Sequence, residues 1–292
     1  MWILFAFIAA FCAGMTAVLS KISLEGLDSH LATALRTIVV LFFAWGIVFA
    51  GGLDVGAAIA SVPQRTWIFL ILSSIATGAN WLCYYRALQL ASVSRVAPID
   101  KMSTVLSMIL AFVFLGEPIR LVTVPAMVLM FCGTMLLATG GNIKSAPSDE
   151  GPASKTWLVY AIAACISASL VAILGKIGMQ NIDSNLATAV RTVVVLAICW
   201  GIVLFRGKQK DISSIKKKNW IFLGLSGITT GLSWIFHFRA LQMGQASIVV
   251  PIDRLSVLVS VVFSAVILHE KQNKNTVIGI TLMTVGTLML LL

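Results

Sequence analysis

The chain has 292 residues, 59% of them hydrophobic and 11% charged, with a formal net charge of +10 and a mean hydropathy of +0.99. That balance leaves too little polar surface to clothe a water-soluble globule and places the chain in a lipid bilayer. The positive charge is not a nucleic-acid signature, because Lys and Arg gather in short connections beside apolar runs, as membrane topology demands.

Apolar runs long enough to cross a bilayer, each roughly 20 residues, fall near 2–20, 31–50, 67–87, 95–115 and 121–140, then near 157–175, 186–205, 220–240, 248–268 and 275–292. The expected fold is an all-α integral membrane protein of ten transmembrane helices. Continuous Leu, Ile, Val and Ala runs lack the period-two alternation of a barrel strand. The first run begins at Trp2 with no basic segment before it, so it reads as a span rather than a cleaved leader. Cys12, Cys83, Cys132, Cys165 and Cys199 all lie within spans at no metal-ligand spacing and read as small packing residues. Neither a cofactor nor a metal is expected.

The chain repeats itself. Residues 28–41 (DSHLATALRTIVVL) return as residues 183–196 (DSNLATAVRTVVVL), 155 positions later. At an offset of 153, Gly78, Trp81 and Arg86-Ala87-Leu88-Gln89 recur as Gly231, Trp234 and Arg239-Ala240-Leu241-Gln242. Pro98-Ile99-Asp100-Lys101 likewise recurs as Pro251-Ile252-Asp253-Arg254. The expected units are 1–140 and 157–292, joined by a linker at 141–156 rich in Gly, Ser, Pro and Lys. Five spans are an odd number, so the second unit enters the membrane from the opposite side. Such inverted repeats hold substrate near the midplane where the units meet.

The odd-numbered connections hold Lys21, Arg86, Arg95, Lys144, Lys155, the basic residues from Arg206 to Lys218, Lys271 and Lys274. The even-numbered ones hold only Arg65, Arg120, Lys176 and Arg239, so both termini are expected on the non-cytoplasmic side. The 206–218 run also suits anionic lipid.

A charge at mid-bilayer costs about 2.5 to 3.5 kcal/mol on insertion scales, so an intramembrane ion is a functional candidate with a partner to be named. The candidates are Arg36, Asp100 and Lys101, with Arg191, Asp253 and Arg254 as their copies. Arg36 and Asp100 each sit about 8 Å into a span from the same side, at 1.5 Å per residue. This depth count pairs Arg36 with Asp100 beside Lys21, and Arg191 with Asp253 beside Lys176, as two mirror-placed gates. The competing reading is that the long cations snorkel and the acids pair statically. Pro98 and Pro251 loosen or simply start the helices that carry these charges.

In the third run Ala76, Asn80, Trp81, Tyr84 and Tyr85 share a polar-aromatic face, matched in the eighth by Thr230, Ser233, Trp234, His237 and Phe238. Tyr84 and His237, nearer span ends, fit an interfacial belt equally well. Trp81 and Trp234 lie deeper and are assigned to a cavity. His237 replaces Tyr84 with a group that titrates near neutrality, so a coupling proton is a candidate partner alongside a purely structural hydrogen bond. Ala126, Gly133 and Gly140, with Gly279 and Gly286, form small-residue stripes that permit close helix approach. They serve either the two units or two protomers, so monomer and homodimer both stand.

Two five-helix units, the doubled Pro-Ile-Asp-Lys/Arg motif and the acidic residue closing that helix (Glu117, Glu270) resemble the EamA-type branch of the drug/metabolite transporter superfamily. The resemblance covers nearly the whole chain. It implies a carrier of small molecules whose cavity is lined by the first, third and fourth helices of each unit, near Trp81, Trp234 and the segments starting at Pro98 and Pro251. The first-helix carboxylate used for proton exchange by small four-helix relatives has no counterpart, since the first and sixth spans carry no acid.

The expectation is a secondary transporter in the cell inner membrane, exporting a small polar or amphipathic metabolite such as an amino acid by alternating access. Asn80, Trp81, Tyr84, Asp100, Ser233, Trp234, His237 and Asp253 are the substrate-binding candidates. Lys21, Arg36, Lys101, Lys176, Arg191 and Arg254 are the gating candidates. The Lys and Arg excess suits an anionic substrate, whereas Asp100 and Asp253 with the tryptophans suit a cation. A flippase for a lipid-linked substrate is the alternative and requires a groove open to lipid. A membrane-embedded enzyme needs clustered catalytic groups, and the three histidines are scattered.

Overall fold

The computed structural model describes residues 1–23, 27–90, 96, 99–140, 156–267 and 273–292. The regular elements among these residues are helical throughout, with twelve α-helices. The first half holds α1 (Trp2–Ser23), α2 (Ser29–Ala50), α3 (Val55–Ser61), α4 (Gln64–Leu90), α5 (Ser103–Leu115) and α6 (Thr123–Gly140). The second holds α7 (Thr156–Gly178), α8 (Ser184–Phe205), α9 (Lys217–Met243), α10 (Ala246–Arg254), α11 (Ser256–Ile267) and α12 (Lys274–Met289), with a 3₁₀ helix at Lys208–Ser214.

Seven stretches are long and apolar enough to cross a membrane: α1, α2, α4, α7, α8, α9, and the α10–α11 pair over Ala246–Phe263. Large apolar side chains such as Phe42, Phe49, Phe114, Val159 and Phe205 face outward, as lipid contact allows. The helix count differs from the ten apolar runs for two local reasons. The short α3 forms inside a connection, capped by Asp54, whose side chain accepts from the Ala57 amide. The ninth run is broken at Leu255, whose amide donates to the Ile252 carbonyl three residues back at 3.0 Å, a tighter turn than the α-helix. The fourth run breaks at the corresponding Met102, between the helical Asp100–Lys101 stretch and α5.

The repeated sequence acts locally before it acts in tertiary packing. Asp28 and Asp183 cap α2 and α8, each side chain accepting from the amides two and three residues on, which satisfies donors a helix start leaves open.

The helices then pair across the two halves: α1 with α9, α4 with α7, α2 with α8, and α6 with α12. Because α7, α8, α9 and α12 copy α1, α2, α4 and α6, these contacts are reciprocal down to single residues. Asn80 of α4 donates to the Ala164 carbonyl of α7 at 2.9 Å, and its copy Ser233 of α9 donates to the Ala9 carbonyl of α1 at 3.0 Å. Gly78 abuts Ile198, while its copy Gly231 abuts Phe43, itself the counterpart of Ile198.

The small-residue stripes meet one another within the chain. A methyl group on Gly133 of α6 would stand 2.6 Å from the Gly279 carbonyl oxygen of α12, and one on Gly286 would stand 2.8 Å from that of Ala126. The stripes therefore join the two halves of one chain.

Candidate functional site

Where α1, α4, α7, α8, α9 and α10 converge, a cavity of about 330 Å³ opens in the protein, at the small end of the range for ligand pockets. Its walls come from Thr77, Asn80 and Trp81 of α4, Ser233, Trp234, His237 and Phe238 of α9, Arg191 of α8, and Asp253 and Arg254 of α10. Ala13 of α1 and Ala168 and Val171 of α7 complete it with small or apolar surface. Thr77, Trp81, Ser233, Trp234 and His237 recur at three- and four-residue spacing, so one face of each long helix supplies its share.

Arg191 is the most buried ion in this wall, 2% exposed. Its Nη2 donates to Thr77 Oγ1 at 3.2 Å, and its guanidinium lies 4.1 Å from the centre of the Phe238 ring. Its Nε has no hydrogen-bond partner, and no carboxylate among the described residues is within ion-pairing distance. Arg254 donates from Nη2 to Ser103 Oγ at 3.4 Å, and its Nε is also unpartnered. Asp253, by contrast, has His237 beside it, with Nδ1 3.4 Å from Oδ1. The cavity thus presents two guanidinium edges to one carboxylate that already has a neighbour.

Of the residues expected from sequence, Asn80, Trp81, Ser233, Trp234, His237 and Asp253 line the cavity, together with Arg191 and Arg254, which the sequence assigned to gates. Tyr84 lies elsewhere, packed in a cluster with Ala87, Val96 and Trp157. Asp100 stands 3.7 Å from the adjacent Lys101. Arg36 donates to Ser20 Oγ at 2.7 Å, and Lys21 occupies the last turn of α1. Arg95, Pro98, Glu270 and residues 141–155 lie outside the described residues.

Lys176 takes a different partner from the one depth counting assigned. It donates to Glu117 Oε1 at 2.9 Å and to the Gly244 carbonyl at 2.5 Å. The reason is depth: Lys176 sits two residues from the end of α7, whereas Arg191 lies seven residues into α8, about 7 to 8 Å deeper at 1.5 Å per residue.

Glu117 also accepts from the amides of Ala246 and Ser247 at 2.6 and 2.8 Å, closing the start of α10. Burial raises the pKa of this carboxyl, but its hydrogen bonds to Ser247, Lys176 and the Ala246 amide outweigh burial and hold it below the usual carboxylate range. The clamp ties the α5–α6 connection of the first half to α7 and the α9–α10 turn of the second. It lies at the end of the molecule where Gly244 approaches Trp2 and Leu290 neighbours Gln245.

Sequence reasoning did not assign Thr77 to the site, and it gave Glu117 no partner. Thr77 stands one turn from Trp81 on the same face. Glu117 and Lys176 recur at matching places as Glu270 and Lys21, so opposite charges matched across the two halves would have joined them.

Comparison with known proteins gives one consistent family. The EamA-like transporter family matches residues 1–139 and again 155–292. A Sinorhizobium sp. protein described as an uncharacterized transporter in the cobO 3′ region is 38% identical over 137 residues, 47% of this chain and 97% of that relative. The matched region of that relative is therefore about the length of one half of this chain. The uncharacterized transporter YxxF of Bacillus subtilis (strain 168) is 23% identical over 221 residues, covering 74% of this chain and 68% of that one. A crystal structure superposes with a TM-score of 0.82 over 99% of this chain and 96% of its own at 16% identity, a likeness of fold. The chain belongs to the EamA-like transporter family of the drug/metabolite transporter superfamily and is a multi-pass membrane transporter.

Proposed function

We propose that the protein is a secondary carrier of ten spans in two inverted five-span units, exporting a small polar or amphipathic metabolite such as an amino acid by alternating access. The observation that carries this reading is a polar cavity walled by matching positions of both halves, Asn80 and Trp81 with Ser233 and Trp234. The reciprocal Asn80–Ala164 and Ser233–Ala9 bonds support a pseudo-twofold relation between the units.

Substrate lies between the tryptophans, and the two units rock about it. The Lys176–Glu117 clamp closes the end that carries the termini, which the loop charges assign to the non-cytoplasmic side of the inner membrane. Lys21, Arg36, Asp100 and Lys101 belong to the opposite closure. His237, 3.4 Å from Asp253 in the same wall as Arg191 and Arg254, is the candidate residue for a coupling proton.

One observation favours the alternative of a flippase for a lipid-linked substrate. An apolar groove of about 400 Å³ lies between α1 and α11, lined by Phe7, Ile8, Ala10, Phe11, Leu255, Leu258 and Val259. It offers no polar side chain to a headgroup, so the central cavity is the better substrate site.

A thermal-shift screen of purified protein against amino acids, sugar phosphates, nucleotides, polyamines and cationic drugs at pH 6 and 8 separates the readings. A ligand at a hundred times its Kd stabilises by about 2.7 kcal/mol. The carrier reading expects a hit that Trp81→Ala or Asp253→Asn abolishes. Silence across the panel from folded protein, with stabilisation by lipid-linked sugars, would favour the flippase.

A further inference from the structure

Resting on the carrier reading, the geometry points to a small organic carboxylate as the substrate class, and we infer that Arg191 is the residue that binds its carboxylate group. The sequence left anion and cation open, because each half carries both an acid and basic residues. Side-chain partners break that tie. Asp100 has Lys101 within ion-pairing distance, and Asp253 has the His237 ring nitrogen 3.4 Å away, so each acid already has a polar side chain beside it. Arg191 has a hydroxyl and a ring face, and neither neutralises it.

An uncompensated buried guanidinium is costly and persists where a ligand or partner compensates it. Its Nη2 is held by Thr77 and its plane by Phe238, which fixes its orientation, while Nε retains an unused donor in the cavity wall. A guanidinium presents its donors as a planar fork that matches the two oxygens of a carboxylate. Arg254, with its own open Nε in the same wall, leaves the cavity with two cations for one acid. A cationic substrate would enter against that balance. The modest cavity and the flanking Trp81 and Trp234 suit an apolar body of amino-acid size rather than a nucleotide.

The test is a set of equilibrium titrations on the purified wild-type protein at one pH with compounds that share a body and differ in one charged group. 4-Methylvalerate, L-leucine, L-leucinamide and isoamylamine form one series; 3-phenylpropionate, L-phenylalanine, L-phenylalaninamide and phenethylamine form another. The expected order places the carboxylate-bearing members of at least one series about 10- to 100-fold tighter than its amide and amine, the weight of charge-assisted hydrogen bonds. Arg191→Lys should weaken carboxylate binding and Arg191→Gln abolish the preference, with Trp81→Ala lowering every member alike. Since Arg191 is buried, Thr77→Val serves as the milder variant, releasing Nη2 and weakening carboxylates while sparing amines. Amines binding as tightly as carboxylates, or no member of either series binding, would overturn the inference. Carboxylate preference lost in Arg191→Gln, but with a cavity that never opens to both faces of the membrane, would keep Arg191's role and remove the carrier reading instead.

Discussion

Glu117→Gln is expected to open the end of the molecule that carries the termini, raising access to the cavity from that side by about one to two orders of magnitude. Glu117 is buried and accepts three strong donors, from Lys176, Ala246 and Ser247. Removing one partner of a buried ion pair costs about 3 to 5 kcal/mol because the other charge is left uncompensated, and Gln retains only part of the acceptor set. Every one of those donors belongs to the second half of the chain, so the loss falls on the contact between halves rather than on either alone. Lys176→Met should reproduce much of the effect. The double variant should add little, since both act through one contact.

Acid should do the same to the wild type. The folded carboxyl has a pKa below its unfolded value of about 4.5, so its contribution is fully present above that value and fades as pH falls through the folded pKa. Access from the terminal side, taken as the wild-type thiol-labelling rate divided by the Glu117→Gln rate at each pH so that the loss of thiolate in acid cancels, should give a wild-type profile that rises toward one from pH 7 down to 3.5. A flat wild-type profile would remove the clamp from the mechanism.

The second large effect concerns the seam between α6 and α12. Gly133→Ala and Gly279→Ala should each lower the melting temperature by about 2 to 12 °C, from an overpacking cost of 1 to 3 kcal/mol in a chain of this size. The added methyl would meet a backbone oxygen at 2.6 or 2.8 Å, a contact that movement of the neighbouring Met283 or Leu137 side chain does not relieve. The same substitution at Gly46 or its copy Gly201 meets nothing within 4 Å. There it should be neutral or stabilising by up to about 1 kcal/mol, as alanine is the better helix former. Equal losses at all four positions would mean that the seam is not what the glycines serve.

The seam shows how far the sequence reaches. Seven-residue spacing of small residues makes close approach legible, but two units and two protomers need the same surface, and spacing names no partner. The repeat that contains Asp28 and Asp183 was legible, but the helix caps they form were assigned only from the structure, although capping is a local signal. Lys176 was misassigned because depth counting paired charges by distance from a span start, while the actual partner sits in a connection of the other half.

Tyr84 and His237 show a further limit. They are copies by sequence, yet one packs against the Ala87, Val96 and Ala161 cluster and the other faces the cavity. A repeat treats its two members alike, whereas one conformation places both members of some pairs at the site, as with Trp81 and Trp234, and only one member of others. Arg191, Asp253 and Arg254 line the cavity, and their copies Arg36, Asp100 and Lys101 do not.

Alternating access is most directly tested by labelling one cysteine in the cavity from each face of the membrane. Ala168→Cys, in a background with the five native cysteines replaced, would be exposed to an impermeant thiol reagent in right-side-out and inverted vesicles. The account predicts labelling from both faces in the parent, with Glu117→Gln raising the rate from the terminal side and lowering it from the other. Rates that rise together on both faces, or labelling confined to one face in every variant, would contradict it.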